Sequence, residues 1–227
     1  MRIPEWKVKL LALNCWDDGR SNQMASGYGY YLLRAHALAD PVLRESTLIH
    51  VAMLPHAFSG LDARSLVDPD VRVLGLSCHG WSVEWIERII PEARAVNPDV
   101  RIWIGGSGLA LLLERDRVEW SVRDLLFTGT HGSTEEPFRQ TLARLVGTGD
   151  LDEDFLAAQP GIAWWRQDGS GPVRNPPADY VPLARLASPF SVGLPPFDPV
   201  QDYFPLRTSE GCPQRCRYCA VNRIIQC

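Results

Sequence analysis

Val71-Arg72-Val73-Leu74-Gly75-Leu76-Ser77, then Cys78-His79-Gly80, then Trp81-Ser82-Val83-Glu84-Trp85-Ile86-Glu87-Arg88-Ile89-Ile90, is the stretch that decides the fold. Its first seven residues form a short apolar run of the kind a buried strand needs. The pattern then changes period. Across Trp81–Val96, the residues Val83, Ile86, Ile89, Ile90 and Ala93 recur at three- and four-residue spacing, which predicts one apolar helix face. Pro91 lies inside that pattern and is expected to kink the helix or split it, and Asn97-Pro98-Asp99 stops it.

The same alternation extends in both directions. Val8–Leu13 reads as a first strand, Gly27–Leu38 as a helix and Thr47–Met53 as a second strand. Beyond the central pair, Val100–Ile104 reads as a fourth strand, closed by Gly105-Gly106-Ser107-Gly108 ahead of a helical start at Leu109–Leu113. Asp124–Thr128 is a fifth strand and Glu135–Val146 a final helix, with Ser133 or Thr134 as N-cap. Only Leu54–Asp70, the second crossover, is short and poorly periodic. Strands alternating with helices imply a mainly parallel sheet covered on both faces. The expected class is α/β, a flavodoxin-like doubly wound parallel sheet over residues 1–147. Residues 148–205 are rich in proline and read as a linker packed along a neighbouring domain, with one hairpin between Gly161 and Val173 around Asp168-Gly169.

The 227 residues suffice for one domain and part of another. A 45% apolar, 22% charged composition is that of a globular chain, and a net charge of −4 offers no broad basic surface for nucleic acid. No apolar run near the start is long enough to span a membrane, so neither membrane nor nucleic acid is an expected partner and the expected location is cytoplasmic.

Six cysteines in such a chain point to metal ligands or buried thiols rather than disulfides. Cys15 and Cys78 stand alone, Cys227 is the last residue, and Cys212, Cys216 and Cys219 are bunched. Their Cys-x3-Cys-x2-Cys spacing offers one thiolate to each of three irons of a four-iron, four-sulfur (4Fe–4S) cluster. The fourth iron is left for S-adenosylmethionine to chelate through its amino and carboxylate groups. Four-cysteine electron carriers have no such vacancy, and their usual bacterial spacing differs. A zinc site would need Cys227 as an improvised fourth ligand. Arg207, Arg215, Arg217 and Arg223 surround the loop, and their field favours thiolates.

Ser77, Gly105, Gly106, Thr128 and Gly129 all fall at the carboxyl ends of predicted parallel strands, where open sheets bind ligands. Glycine lets a bulky ligand approach the backbone, and equally permits a tight strand-to-helix turn.

Phe204–Ala220, with Glu210-Gly211-Cys212-Pro213 and Arg217-Tyr218-Cys219, resembles the opening of a radical S-adenosylmethionine barrel: a first strand, a Gly-Cys-Pro turn and the cluster loop. The resemblance implies that Tyr218 lies near the adenine of S-adenosylmethionine. Many relatives have Arg where this chain has Glu210, a departure that touches neither ligands nor spacing. Upstream, Gly27-Tyr28-Gly29-Tyr30, Gly75-Leu76-Ser77-Cys78, Ile104-Gly105-Gly106 and Phe127-Thr128-Gly129, followed by Glu135-Glu136-Pro137-Phe138, are similar to the cobalamin-binding subfamily. Classical cobalamin domains carry Asp-x-His-x-x-Gly after the first strand. Here that region is Asn14-Cys15-Trp16-Asp17-Asp18-Gly19-Arg20-Ser21, so cobalamin is expected to bind without the lower histidine ligand. His79 and His131 are nearer the expected pocket and read as loop histidines; His36, His50 and His56 have no assigned role.

The resemblance implies reductive cleavage of S-adenosylmethionine to a 5′-deoxyadenosyl radical that abstracts a substrate hydrogen. An electron donor such as flavodoxin or ferredoxin would feed the cluster. Methylation of an unactivated carbon on a small-molecule or peptide substrate is the first expectation; ring contraction and cyclisation also occur among relatives. Methylthiotransferases, whose N-terminal domain binds a second cluster, fit less well, because Cys15 and Cys78 lack a third partner upstream. Residues 206–227 hold only the start of a barrel that takes about 250 residues when complete. The expectation is therefore an incomplete chain, inactive alone, whose isolated form would act as a cobalamin-binding or partner-docking module.

Overall fold

The computed structural model describes residues 6–13, 23–54, 66–129 and 133–192. In chain order its main elements are β1 (Trp6–Leu13), α1 (Gln23–Leu38), α2 (Pro41–Ser46), β2 (Thr47–Leu54), β3 (Val71–Ser77), α3 (Val83–Val96) and β4 (Arg101–Gly105). There follow α4 (Leu109–Arg115), β5 (Leu125–Phe127), α5 (Glu135–Thr148), α6 (Glu153–Ala158), β6 (Ile162–Trp165) and β7 (Pro172–Arg174). The strands form one mixed sheet in the order β2-β1-β3-β4-β5-β6-β7. The first five are parallel and the last two antiparallel.

Both faces of the sheet are covered, which is why its central strands read as continuous apolar runs. Leu11, Leu74, Leu76, Ile102, Ile104 and Leu126 pack with Val83, Ile86, Ile89, Ile90 and Ala93 of α3 and Leu112 of α4. Val8, Leu10, Val73, Trp103, Leu125 and Phe127 meet Leu43 of α2, Phe138, Leu142 and Leu145 of α5 and Leu156 of α6. Trp103 anchors this second layer. Its ring lies edge-on to Phe138 at 5.6 Å, tilted against Phe127 at the same distance.

Helix α3 runs unbroken from Val83 to Val96 with Pro91 inside it, so the expected split does not occur. Pro91 is exposed, and the single backbone bond it forgoes lies on the side where water can replace it. A short 3-10 turn, Gly80–Ser82, precedes the helix in place of its predicted first residues. Helix α1 begins at Gln23, so Gly27 falls within it. A Cβ at Gly27 would meet Met53 Sδ of β2 at 2.6 Å, and glycine there lets helix and strand approach closely.

The hairpin expected within the proline-rich segment forms, and it extends the sheet. Leu126 of β5 pairs with Ala163 of β6, and Trp164 with Val173 of β7. Asn175 fastens it. Its buried side chain donates to the carbonyls of Leu156 and Gln159, both at 2.6 Å, and accepts from Trp164 Nε1 at 3.3 Å. Among the described residues, no helix is long and apolar enough to cross a membrane.

Candidate functional site

The parallel part of the sheet runs 2-1-3-4-5, so the chain reverses its direction of growth between β1 and β3. The helices that follow those two strands pack on opposite faces, α1 with α5 and α3 with α4, the arrangement in which open sheets form a ligand crevice at their carboxyl ends. Ser77 ends β3 and Gly105 ends β4, paired in register with each other and, through Gly105, with Phe127 of β5. Thr128 and Gly129 follow directly. The five residues expected at a ligand edge therefore share one edge of the sheet.

Short-range chemistry shapes the loops there. Cys78 N–H donates to the Gly105 carbonyl at 2.7 Å, and Gly108 N–H donates to the Cys78 carbonyl at 2.9 Å, so the β3 and β4 loops are laced together. Thr128 N–H continues the ladder to the Gly161 carbonyl at 2.9 Å. The buried Ser82 hydroxyl accepts from His79 N–H at 2.8 Å and lies within 3.0 Å of the Ser77 carbonyl, to which it donates.

His79 is held between two hydroxyls. Ser77 Oγ lies 3.0 Å from Nε2, and Ser107 Oγ lies 3.0 Å from Nδ1. The imidazole stacks on the Trp81 indole with centroids 4.6 Å apart and planes 17° from parallel. Trp81 donates its Nε1 hydrogen to the carbonyl of Leu13 at the end of β1, at 3.1 Å, and is 48% exposed. The indole thus links the loop after β3 to the end of β1 and leaves part of its surface exposed at this edge. With both ring nitrogens engaged, His79 directs no lone pair toward a metal in this arrangement.

The glycines of the edge divide into two groups. At Gly106 the backbone has φ +118°, and a Cβ would fall 2.2 Å from the Cys78 carbonyl oxygen. At Gly129 it would fall 2.6 Å from Ser133 Oγ. Packing of the chain against itself accounts for both. Gly105 differs: its nearest neighbour would be Phe127 Cβ at 3.7 Å, an ordinary contact. Nothing in the described fold requires glycine at 105, and that is the position where an approaching ligand would.

Two further groups here, Cys78 and Tyr30, are kept neutral. Burial, followed by the nearby Glu87 carboxylate, pushes the Cys78 thiol up to about 12, so it is protonated at neutral pH. Tyr30 of α1 places its hydroxyl beside Ser77 and Cys78, and burial raises its pKa well above the ordinary phenol value. The hydroxyls of Ser77 and Thr128, the His79 imidazole and the Trp81 indole thus stand along this edge, while Cys78 is fully buried.

Among the described residues, no group of three or more His, Cys, Asp or Glu side chains is placed to hold a metal ion. Cys212, Cys216, Cys219 and Tyr218 lie outside the described residues, as do Cys15, His56, His131 and the region after β1. Two features of the site were not assigned from the sequence: the Ser77–His79–Ser107 chain, and the place of the Tyr30 hydroxyl, a residue noted only within the Gly27–Tyr30 stretch. Ser77-Cys78-His79 is visible as a string, but nothing in it reveals that Ser107 closes the far side. No protein-family model matches this chain, and no curated protein matches it.

Proposed function

We propose that this chain is the N-terminal part of a cobalamin-dependent radical S-adenosylmethionine enzyme, with methylation of an unactivated carbon as its reaction. The observation that carries this reading is the Cys212, Cys216, Cys219 spacing, which provides three thiolates and no fourth ligand in the same loop. The parallel strand order 2-1-3-4-5 supports a flavodoxin-like domain ahead of it, and the open position at Gly105 supports a bulky ligand at its carboxyl edge. When bound, the cluster supplies an electron to S-adenosylmethionine and cobalamin supplies a methyl group. In this reading Cys212, Cys216 and Cys219 hold the irons, and the neighbouring arginines keep their sulfurs ionised. Ser77 and Thr128 orient the corrin periphery, and Trp81 covers one flank of the crevice.

Anaerobic reconstitution of the full chain with iron and sulfide, then with hydroxocobalamin, tests the proposal. Near four irons per chain in an oxygen-sensitive form, lost in Cys216→Ala while corrin uptake persists, is the expected result. Corrin without iron would reduce the assignment to a cobalamin-binding module. Uptake of neither would refute it.

A further inference from the structure

Helix α1 packs Tyr30 against the apolar layer formed with β1, β4 and α5, and its hydroxyl ends at the tip of β3 beside Ser77 and Cys78. That oxygen is out of contact with solvent and has no hydrogen-bond partner among the described residues. Ser77 Oγ is near enough to lower its pKa against the effect of burial but makes no hydrogen bond with it, and Ser77 is already engaged with His79. A buried hydroxyl without a partner weakens a fold, and phenylalanine would fill the same space without that cost. The unmet group lies beside Ser77 and Cys78, at the carboxyl end of β3, on the edge where a sheet of this topology would bind a ligand.

We infer that Tyr30 is a ligand-contacting residue of this crevice, its hydroxyl meeting an uncharged hydrogen-bonding group of the bound molecule, a carboxamide or a heterocyclic nitrogen. The neutral phenol can donate or accept, and neither side chain placed beside it (Ser77, Cys78) is a carboxylate, ammonium or guanidinium that would select an ionic partner. The ligand's identity as a corrin rests on the function proposed above; the corrin periphery carries carboxamides and its tail a heteroaromatic base.

The test compares the full chain with Tyr30→Phe, using hydroxocobalamin as the probe, by equilibrium absorbance titration and by thermal melting without ligand. The variant should bind about tenfold more weakly, the factor an ordinary hydrogen bond contributes, while melting at or above the wild-type temperature. Equal affinities would overturn the inference and leave the cobalamin reading intact. A lower melting point in the unliganded variant would overturn it too, since the hydroxyl would then have a partner within the protein. No uptake by wild type would overturn the cobalamin reading and this assignment with it. Should the variant fail to fold, fluorotyrosine-labelled wild type replaces it: one buried fluorine resonance must move on adding hydroxocobalamin, and none moving refutes the contact.

Discussion

Adjacent glycines at the end of β4 should respond oppositely to the same substitution. In Gly106→Ala the new methyl meets the Cys78 carbonyl oxygen at 2.2 Å on a backbone at φ +118°. Holding a non-glycine residue there costs about 1–3 kcal/mol. Relieving the overlap also displaces the Cys78 carbonyl from Gly108 N–H, now 2.9 Å away, for about 1 kcal/mol more. The sum is about 3 kcal/mol, and for a domain of this size each kcal/mol lowers the melting temperature by about 2–4 °C. Gly106→Ala should therefore melt about 10 °C below wild type. In Gly105→Ala the methyl meets Phe127 at 3.7 Å without overlap, and reduced freedom of the unfolded chain should stabilise the variant by about 0.5 kcal/mol. Circular-dichroism melts of the full chain read both. If Gly105→Ala falls as far as Gly106→Ala, the division of the edge into self-packed and open glycines is wrong. The same Gly105→Ala protein should bind hydroxocobalamin more weakly than wild type; unimpaired binding would remove Gly105 from the ligand edge.

Two further perturbations probe the scaffold. Arg139 first, and then His36 at 2.8 Å, hold the Glu136 carboxyl down to about 2 from its ordinary 4.5. That contribution is complete above pH 4.5 and is lost as pH falls toward 2. Because the group is partly exposed, Glu136→Gln should cost only about 1 kcal/mol at pH 7, and urea unfolding should show the gap closing by pH 2. A gap that does not change with pH would refute the ion-pair account. Asn175→Ala removes three hydrogen bonds from a buried junction and leaves Trp164 Nε1 and the Gln159 carbonyl unmet, while the Leu156 carbonyl keeps only Gln159 N–H, which should cost about 2–4 kcal/mol. A loss below 1 kcal/mol in the same assay would mean that the hairpin is only loosely joined to the sheet.

The parallel core was legible because burial on both faces writes itself into the sequence as apolar runs such as Val73–Leu76 and Ile102–Ile104. Short helices were not, although their caps were present. Asp40 ahead of Pro41 accepts from Val42 N–H at 2.9 Å, and Asp152 accepts from Phe155 N–H at 2.8 Å, each starting a six-residue helix too brief to show periodicity. The hairpin was visible from Asp168-Gly169, but its attachment to β5 was not. Pairing across thirty-seven residues, as between Leu126 and Ala163, leaves no local signal. The candidate edge was readable as strand ends, while the roles of individual glycines required knowing what stands opposite each one. Tyr30 was hidden for a similar reason: an aromatic residue on a helix gives no sign that its hydroxyl will find no partner.

Among the described residues, the hairpin also makes the two borders of the sheet unequal as templates for a foreign strand. β7 is three residues long, opens with Pro172, which has no N–H to offer, and carries the exposed Arg174. β2 is eight residues long, contains neither proline nor a formally charged side chain, and turns Leu48 outward at 51% exposure. Intermolecular strand addition, in a partly unfolded or concentrated sample, should therefore start at β2, and a lysine at position 48 is the substitution that would suppress it.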